Sequence, residues 1–343
     1  MHPDLLQRAS FRSRAAGLLC LLLLVNIVAW TVACATFHRD IVLIGTASLA
    51  FTLGLRHAVD ADHIAAIDNV TRKLMQDLKK PVAVGFFFAL GHSCVVIFAS
   101  LALFLTASKL EHEWTGLREV GEVFGTCLSA SFLVAIAFLN LIIFLNVYRT
   151  FKHVQELGVR STPDLEQTVV HGGLLTRLFK PCFRFMSQSW HMFPLGFLFG
   201  LGFETATEIS LFGISATAAG RGLTLGSMMV FPMLFAAGMI LVDTADGIFM
   251  VGAYGWAFVK PVRKLYYNLT ITFASILVAL LVGGLETIGL FKDRLNLTGG
   301  LWDVAGNLNR NFGSLGFIII GVFVASWAGS FLLYWLRGFD RAE

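Results

Sequence analysis

The sequence predicts an all-α polytopic integral membrane protein of about eight transmembrane helices, with both termini in the cytoplasm. Three observations predict it. Of the 343 residues, 56% are hydrophobic and only 14% are charged, and the mean hydropathy is +0.74. A soluble domain carries about 25% charged residues and needs them for its surface. The apolar residues gather into windows of roughly 20 or more, the length that crosses a hydrocarbon core about 30 Å thick. The Lys and Arg residues fall mainly in the connections on one side of those windows. This composition excludes a disordered chain. The slight basic excess, 26 Lys and Arg against 22 Asp and Glu, marks topology and not a nucleic-acid surface. Five scattered cysteines without a CxxC pair argue against a disulfide framework or a thiolate metal cluster.

In chain order the windows are 17–37, 41–67, 81–106, 124–147, 190–215, 226–250, 269–290 and 312–336. Arg8, Arg12 and Arg14 resemble the positive region of a signal peptide. The apolar run that follows is nevertheless long enough to span, and it ends at His38-Arg39-Asp40 without a cleavage site, so a retained first helix is expected. The second window is the least regular, because its end becomes strongly polar. Basic residues cluster before the first window, around Arg72–Lys80, through 148–189, at Lys260–Lys264 and after the last window. These connections share one side with both termini. The excess places that side in the cytoplasm and agrees with an even number of spans. The whole of 1–343 reads as one transmembrane domain, with 148–189 as a long cytoplasmic loop inside it. The acidic 107–123 loop on the other side is either a solvated loop or a weak attractor of incoming cations.

Eight acids remain inside the apolar windows: Asp60, Asp62, Asp68, Glu204, Glu208, Asp243, Asp246 and Glu286, accompanied by His57, His63 and His92. Each buried charge needs a partner, water or an ion, so this concentration points to function. On one straight helix His57, Asp60 and Asp68 share a broad face, whereas Asp62 points away. Either a local break gathers these groups, or some of them satisfy neighbouring helices. His57 and His63 suit nickel, cobalt, copper or zinc through imidazole nitrogen, the alternative being core hydrogen bonding. Asp60 and Asp62 are either ligands or orienters of a ligating imidazole. Asp68 has Arg72 one turn away, and Arg56 has a neighbouring acid to counter.

His92, beside Gly91 in the third window, is a candidate ligand or transit residue. Cys94 lies on another face and reads as packing. Glu204 and Glu208 are four apart, Asp243 and Asp246 three apart, and each pair lies near one helical face. A divalent cation or a shared proton would relieve the repulsion within each pair, the alternative being bundle stabilisation. Glu286 sits near a window's end and is expected at the interface. Asn26 in the first window is by itself an ordinary interhelical hydrogen-bonding group.

The motifs RHAVDADHI, LGHSCVVIF, LGFETATEI and GMILVDTADG together resemble those of the nickel/cobalt transporter family, above all its bacterial high-affinity nickel permeases. The likeness covers essentially all the windows. It implies an eight-helix, multi-pass permease of the bacterial inner (cytoplasmic) membrane that imports nickel and sometimes cobalt. The family's H-x4-D-H pattern falls on His57, Asp62 and His63, and its third-span histidine on His92, which implies a metal-binding set of these four residues. Glu204, Glu208, Asp243 and Asp246 match its acidic motifs, although Glu204 stands where many relatives have Asp, which keeps the charge and changes the reach. Asn26 and His57 match positions that help set metal selectivity, and Asp60 joins the translocation candidates.

The expected function is therefore high-affinity uptake of Ni2+ as a transported substrate, with no cofactor. The partners are the divalent ion and the lipid bilayer; no nucleic acid is involved. No Walker sequence is present, so no ATPase subunit is implied. A cobalt-preferring or broader divalent-cation permease is the alternative within this class. A membrane-embedded metalloenzyme is a remote one, since HExxH is absent.

Overall fold

The computed structural model describes residues 3–76, 81–106, 123–138, 140–142, 144–145, 148–149, 187–202, 206–257, 261–310 and 312–336. The architecture is all-α. Helix α1 (Pro3–Phe37) exposes Leu21, Leu23, Leu24, Ile27 and Val28, while Leu22, Asn26, Ala33 and Phe37 are buried along one stripe. This is the pattern of a membrane helix with one face on the bundle and the others on lipid. Asp40, extended at φ −130° and ψ 98°, then caps α2 (Ile41–His57) by accepting from the amides of Val42 (2.9 Å) and Leu43 (3.1 Å).

The second window, expected as one span over 41–67, is divided. Helix α2 stops at His57, and α3 (Ala61–Gln76) sets off at 49° to it after a three-residue break. Next come α4 (Val84–Thr106) and α5 (Val123–Ile142). The fifth window is also divided: a 3-10 turn (Ser189–His191) runs into α6 (Met192–Gly200), and α7 (Ala206–Gly220) follows. Then come α8 (Leu225–Ala257), α9 (Pro261–Leu295), the short α10 (Gly300–Arg310) and α11 (Phe312–Leu336).

Among the described residues, five helices are long and apolar enough to cross a membrane, those containing Phe11–Phe37, Val84–Leu105, Val123–Ile142, Leu225–Ala253 and Thr272–Leu295. The bent α2–α3 pair makes up to six.

Helix α8 is the hub, packing against α1, α2, α3, α4 and α7. Small residues let the backbones meet there. A Cβ on Gly54 would strike the Phe235 carbonyl, and one on Gly85 would strike that of Asp243. These contacts bring α2 and α4 onto α8 at the level of the polar residues. Beyond the spanning segments, the Asp303 carboxylate of α10 accepts from Lys292, at the end of α9, at 3.1 Å and from the Gly299 amide at 2.9 Å. These two bonds hold the Asp303 carboxyl below the usual carboxylate range.

Most of the 148–189 segment, the 107–122 part of the acidic loop and Glu204 lie outside the described residues.

Candidate metal centre

The break between α2 and α3 builds the site. His57 is the last residue of α2 and His63 the third of α3, so a bend between them turns both rings inward where a straight helix would separate them. Helix α4 brings His92, and the three rings form a closed triangle. Their centroids are 4.6 Å apart for His57–His63, 4.8 Å for His57–His92 and 4.9 Å for His63–His92. One nitrogen from each ring lies within 4.8 Å of the others, the separation at which three imidazoles can hold one metal ion. All three histidines are buried.

Carboxylates stand behind this triangle. His57 Nδ1 is 3.1 Å from Asp60 Oδ2 and 3.0 Å from Thr207 Oγ1. His63 Nδ1 is 3.1 Å from Asp243 Oδ2. A carboxylate only accepts, so both Nδ1 atoms carry the ring hydrogen and both Nε2 atoms present a lone pair. This is the usual way of fixing a metal-ligating histidine: its far nitrogen donates to a carboxylate, which sets the tautomer and raises the basicity of the near one. His63 Nε2 meets no protein partner among the described residues.

His92 is placed differently. Its Nε2 lies 3.0 Å from His57 Nε2 and 3.0 Å from Glu208 Oε1, so a single hydrogen there faces two acceptors. A cation at the His57 end would satisfy the lone pairs that the proton cannot. Three soft-to-intermediate nitrogen donors with carboxylates at hand suit a late first-row divalent ion better than magnesium or calcium.

The structure brings together His57, His63 and His92 of the expected ligand set. The fourth, Asp62, is a half-buried residue of the first turn of α3, where its charge meets the positive helix end, and its Oδ1 has no partner among the described residues. Asp60 is tied to His57 and to Arg56 Nη1 at 2.8 Å, an orienting arrangement that also gives Arg56 its acid. Glu208 and Asp243 touch the histidines directly. Asp246 lies one turn beyond Asp243, within electrostatic reach of Asp243 and Asp68, and its Oδ2 is buried without a partner among the described residues. Asn26 is apart from the triangle: its amide donates to the Leu22 carbonyl (2.9 Å) and, across helices, to that of Ala237 (3.3 Å).

Asp68 and Glu286 find partners on other helices. Asp68 Oδ2 accepts from Ser275 of α9 at 2.7 Å, while Arg72 Nη2 donates to Asn69 at 3.1 Å. Glu286 is not interfacial but 3% exposed, and it accepts from Ser129 of α5 at 3.0 Å. Thr207 joins the site unforeseen. Its only signal was its place in the same motif, immediately before Glu208.

A family model described as "High-affinity nickel-transport protein" matches residues 43–333. The chain is 53% identical to a "High-affinity nickel transport protein" of Cupriavidus necator, an alignment covering 97% of this chain and 95% of that one. It is 44% identical to the "High-affinity nickel-transport protein NixA" of Helicobacter pylori strain 26695, over 87% of this chain and 90% of that one. It is 40% identical to the "Cobalt transport protein NhlF" of Rhodococcus rhodochrous, over 86% and 84% respectively. No solved structure matches the chain.

Proposed function

This chain belongs to the family of high-affinity nickel-transport proteins, and on that premise we propose that it takes up Ni2+ across the bacterial inner membrane through the buried histidine triangle. It is a membrane-embedded transport protein and not an enzyme, with the divalent ion as its substrate and no ATPase subunit or nucleic acid as partner. One observation carries the metal site: three buried imidazoles converge while carboxylates bond the far nitrogens of two of them.

The ion sheds much of its water and binds between His57, His63 and His92. Asp60 and Asp243 keep the first two rings oriented. To ligate through Nε2, His92 carries its one hydrogen on Nδ1, and Glu208 Oε1 then stands beside Nε2 as a further oxygen for the ion. Asp243 and Asp246, one turn apart on α8, lead the ion onward, and Asp62, Glu204 and Asn26 act in capture and selectivity. Negative-inside potential drives a divalent charge inward by about 4.6 kcal/mol per 100 mV. For the ion to pass through, its binding here has to be weak enough for release.

The arrangement we propose for the chain is a single permease unit over 1–343 with eight spans, both termini cytoplasmic and 148–189 as a cytoplasmic loop. Beyond the helices that qualify by length and composition, the division of 190–215 into α6 and α7 and the 25-residue apolar α11 support the remaining spans. The basic residues in the connections support the orientation.

Cobalt is the second reading, favoured by the cobalt transport protein of Rhodococcus rhodochrous among the relatives. Purified protein in vesicles, given Ni2+ or Co2+ while voltage and pH gradient are varied independently, tests both. Nickel uptake at low concentration is expected, and its absence in the parent chain would sink the proposal.

A further inference from the structure

Sharp helix bends are usually caused by proline, glycine or an inserted group. The break that forms the metal site has neither proline nor glycine: it is Ala58-Val59-Asp60, and Ala58 keeps right-handed helical angles of φ −59° and ψ −17°. Its backbone bonds look back to α2 or on to α3. Ala58 donates to Gly54 (3.3 Å), Val59 to Arg56 (3.1 Å) and Asp60 to His57 (2.9 Å), while Ile64 donates to Asp60 (3.2 Å). None of these bonds ends on the Val59 carbonyl. A helix end leaves such carbonyls in need of a partner.

Helix α11 supplies one. A Cβ built on Gly316 would fall on the Val59 carbonyl oxygen and 3.3 Å from Ile64 Cδ1. The carbonyl therefore occupies the space that any other residue's side chain would take, facing the glycine Cα–H as carbonyls do at close helix contacts. On either side, Leu315 and Ile319 pack with Ala61, Ile64 and Ala65 in one buried cluster, with Val59 against it. The last helix is thus registered on the hinge of the metal site.

We infer that Gly316 is a positioning residue for the metal centre: it fixes the bend between α2 and α3, and through it the separation of His57 and His63. The inference rests on the function proposed above. The two histidines ride on opposite sides of the hinge, so a change of bend alters their spacing more than it alters either ring's place on its own helix. Close-packed interiors pass such a displacement on instead of absorbing it. Nickel and cobalt are told apart by site geometry more than by raw affinity, so metal preference is the property most exposed to the change.

The test is uptake of Ni2+ and Co2+ by vesicles carrying purified Gly316→Ala. The expected result is a KM for Ni2+ raised about tenfold, the low end of what disturbing the support of a ligating histidine costs, together with a changed nickel-to-cobalt ratio. Gly321→Ala, on the same helix with open space around it, should match the parent. A merely structural role would lower the amount of transporter and the maximal rates for both ions by one factor, with KM and ratio unchanged, and that result would overturn the inference. If Gly316→Ala does not reach the membrane, Leu315→Ala decides: it loosens α11 on the hinge without a clash, and unchanged KM and ratio there overturn the inference as well. A parent chain that moves no nickel in these vesicles refutes the proposed function, and this inference with it.

Discussion

His63 Nδ1 and Asp243 Oδ2 lie 3.1 Å apart, joining residues 180 positions distant in sequence, and both side chains are fully buried. A buried carboxylate is tolerated when it is hydrogen-bonded and serves an ion, and here it leaves His63 Nε2 turned toward the other two rings. Asp243→Asn keeps the shape and an accepting oxygen but removes the charge. Nickel affinity should fall about 10- to 100-fold with normal protein in the membrane, read as the KM of vesicle uptake. An unchanged KM would remove Asp243 from the site's support.

His57 is the hub of the triangle, in contact with both other rings and with Asp60 and Thr207. His57→Ala should abolish nickel uptake while the chain still accumulates in the membrane. His92→Ala should weaken binding too, because it removes the ring 3.0 Å from Glu208, while its membrane abundance stays near the parent's. Immunoblotting and nickel uptake on the same cells separate the two effects, and normal uptake in His57→Ala would refute its role.

The sequence made some of this legible for direct physical reasons. Long apolar runs require a hydrocarbon surrounding, and acids and histidines within such runs require a partner or an ion, so the membrane class and the histidine positions could be read off. The break at 58–60 could be posed only as an alternative, because nothing in Ala58-Val59-Asp60 breaks a helix by itself; its Val59 carbonyl meets Gly316, more than 250 residues on. Asp68 and Glu286 show the same limit. Arg72 lies one turn beyond Asp68 on the same helix, and the donor to Asp68 Oδ2 is Ser275 of another helix. Glu286 sits near the end of its apolar window, yet Ser129 of α5 holds it in the interior. Partners across helices leave no periodic trace.

Asn26 supplies a prediction separate from the triangle. Its amide clips α1 to the Ala237 carbonyl of α8, two residues beyond Phe235, whose ring centroid is 5.4 Å from that of His57. Asn26→Ala should leave nickel uptake measurable and shift the nickel-to-cobalt ratio, because α8 is then held less firmly against the site. Competition of Co2+ with Ni2+ uptake reads this directly, and an unaltered ratio would confine Asn26 to helix packing.

Both termini are proposed to be cytoplasmic, an arrangement that a reporter can test. A fluorescent protein that folds only in the cytoplasm, fused after Glu343, should fluoresce, and an exported phosphatase at the same place should stay inactive. The opposite pair of signals would reverse the orientation and make the charge bias of the connections misleading here.

The last prediction separates the two partners of Asp60. Arg56 Nη1 lies 2.8 Å from Asp60 Oδ1, but the arginine side chain is 37% exposed whereas Asp60 is 4% exposed. Ordering the half-exposed arginine side chain costs entropy, which offsets much of the attraction in such a pair. The bond from His57 to Asp60 Oδ2 is buried and sets which imidazole nitrogen faces the metal. Arg56→Gln should therefore change the KM for nickel by no more than a few-fold. Asp60→Asn should raise it about 10- to 100-fold, as loss of an imidazole's carboxylate does. If the two variants were equally impaired at equal abundance, the charge of Arg56 would matter as much as ring orientation, and Asp60 would act through the ion pair instead of through His57.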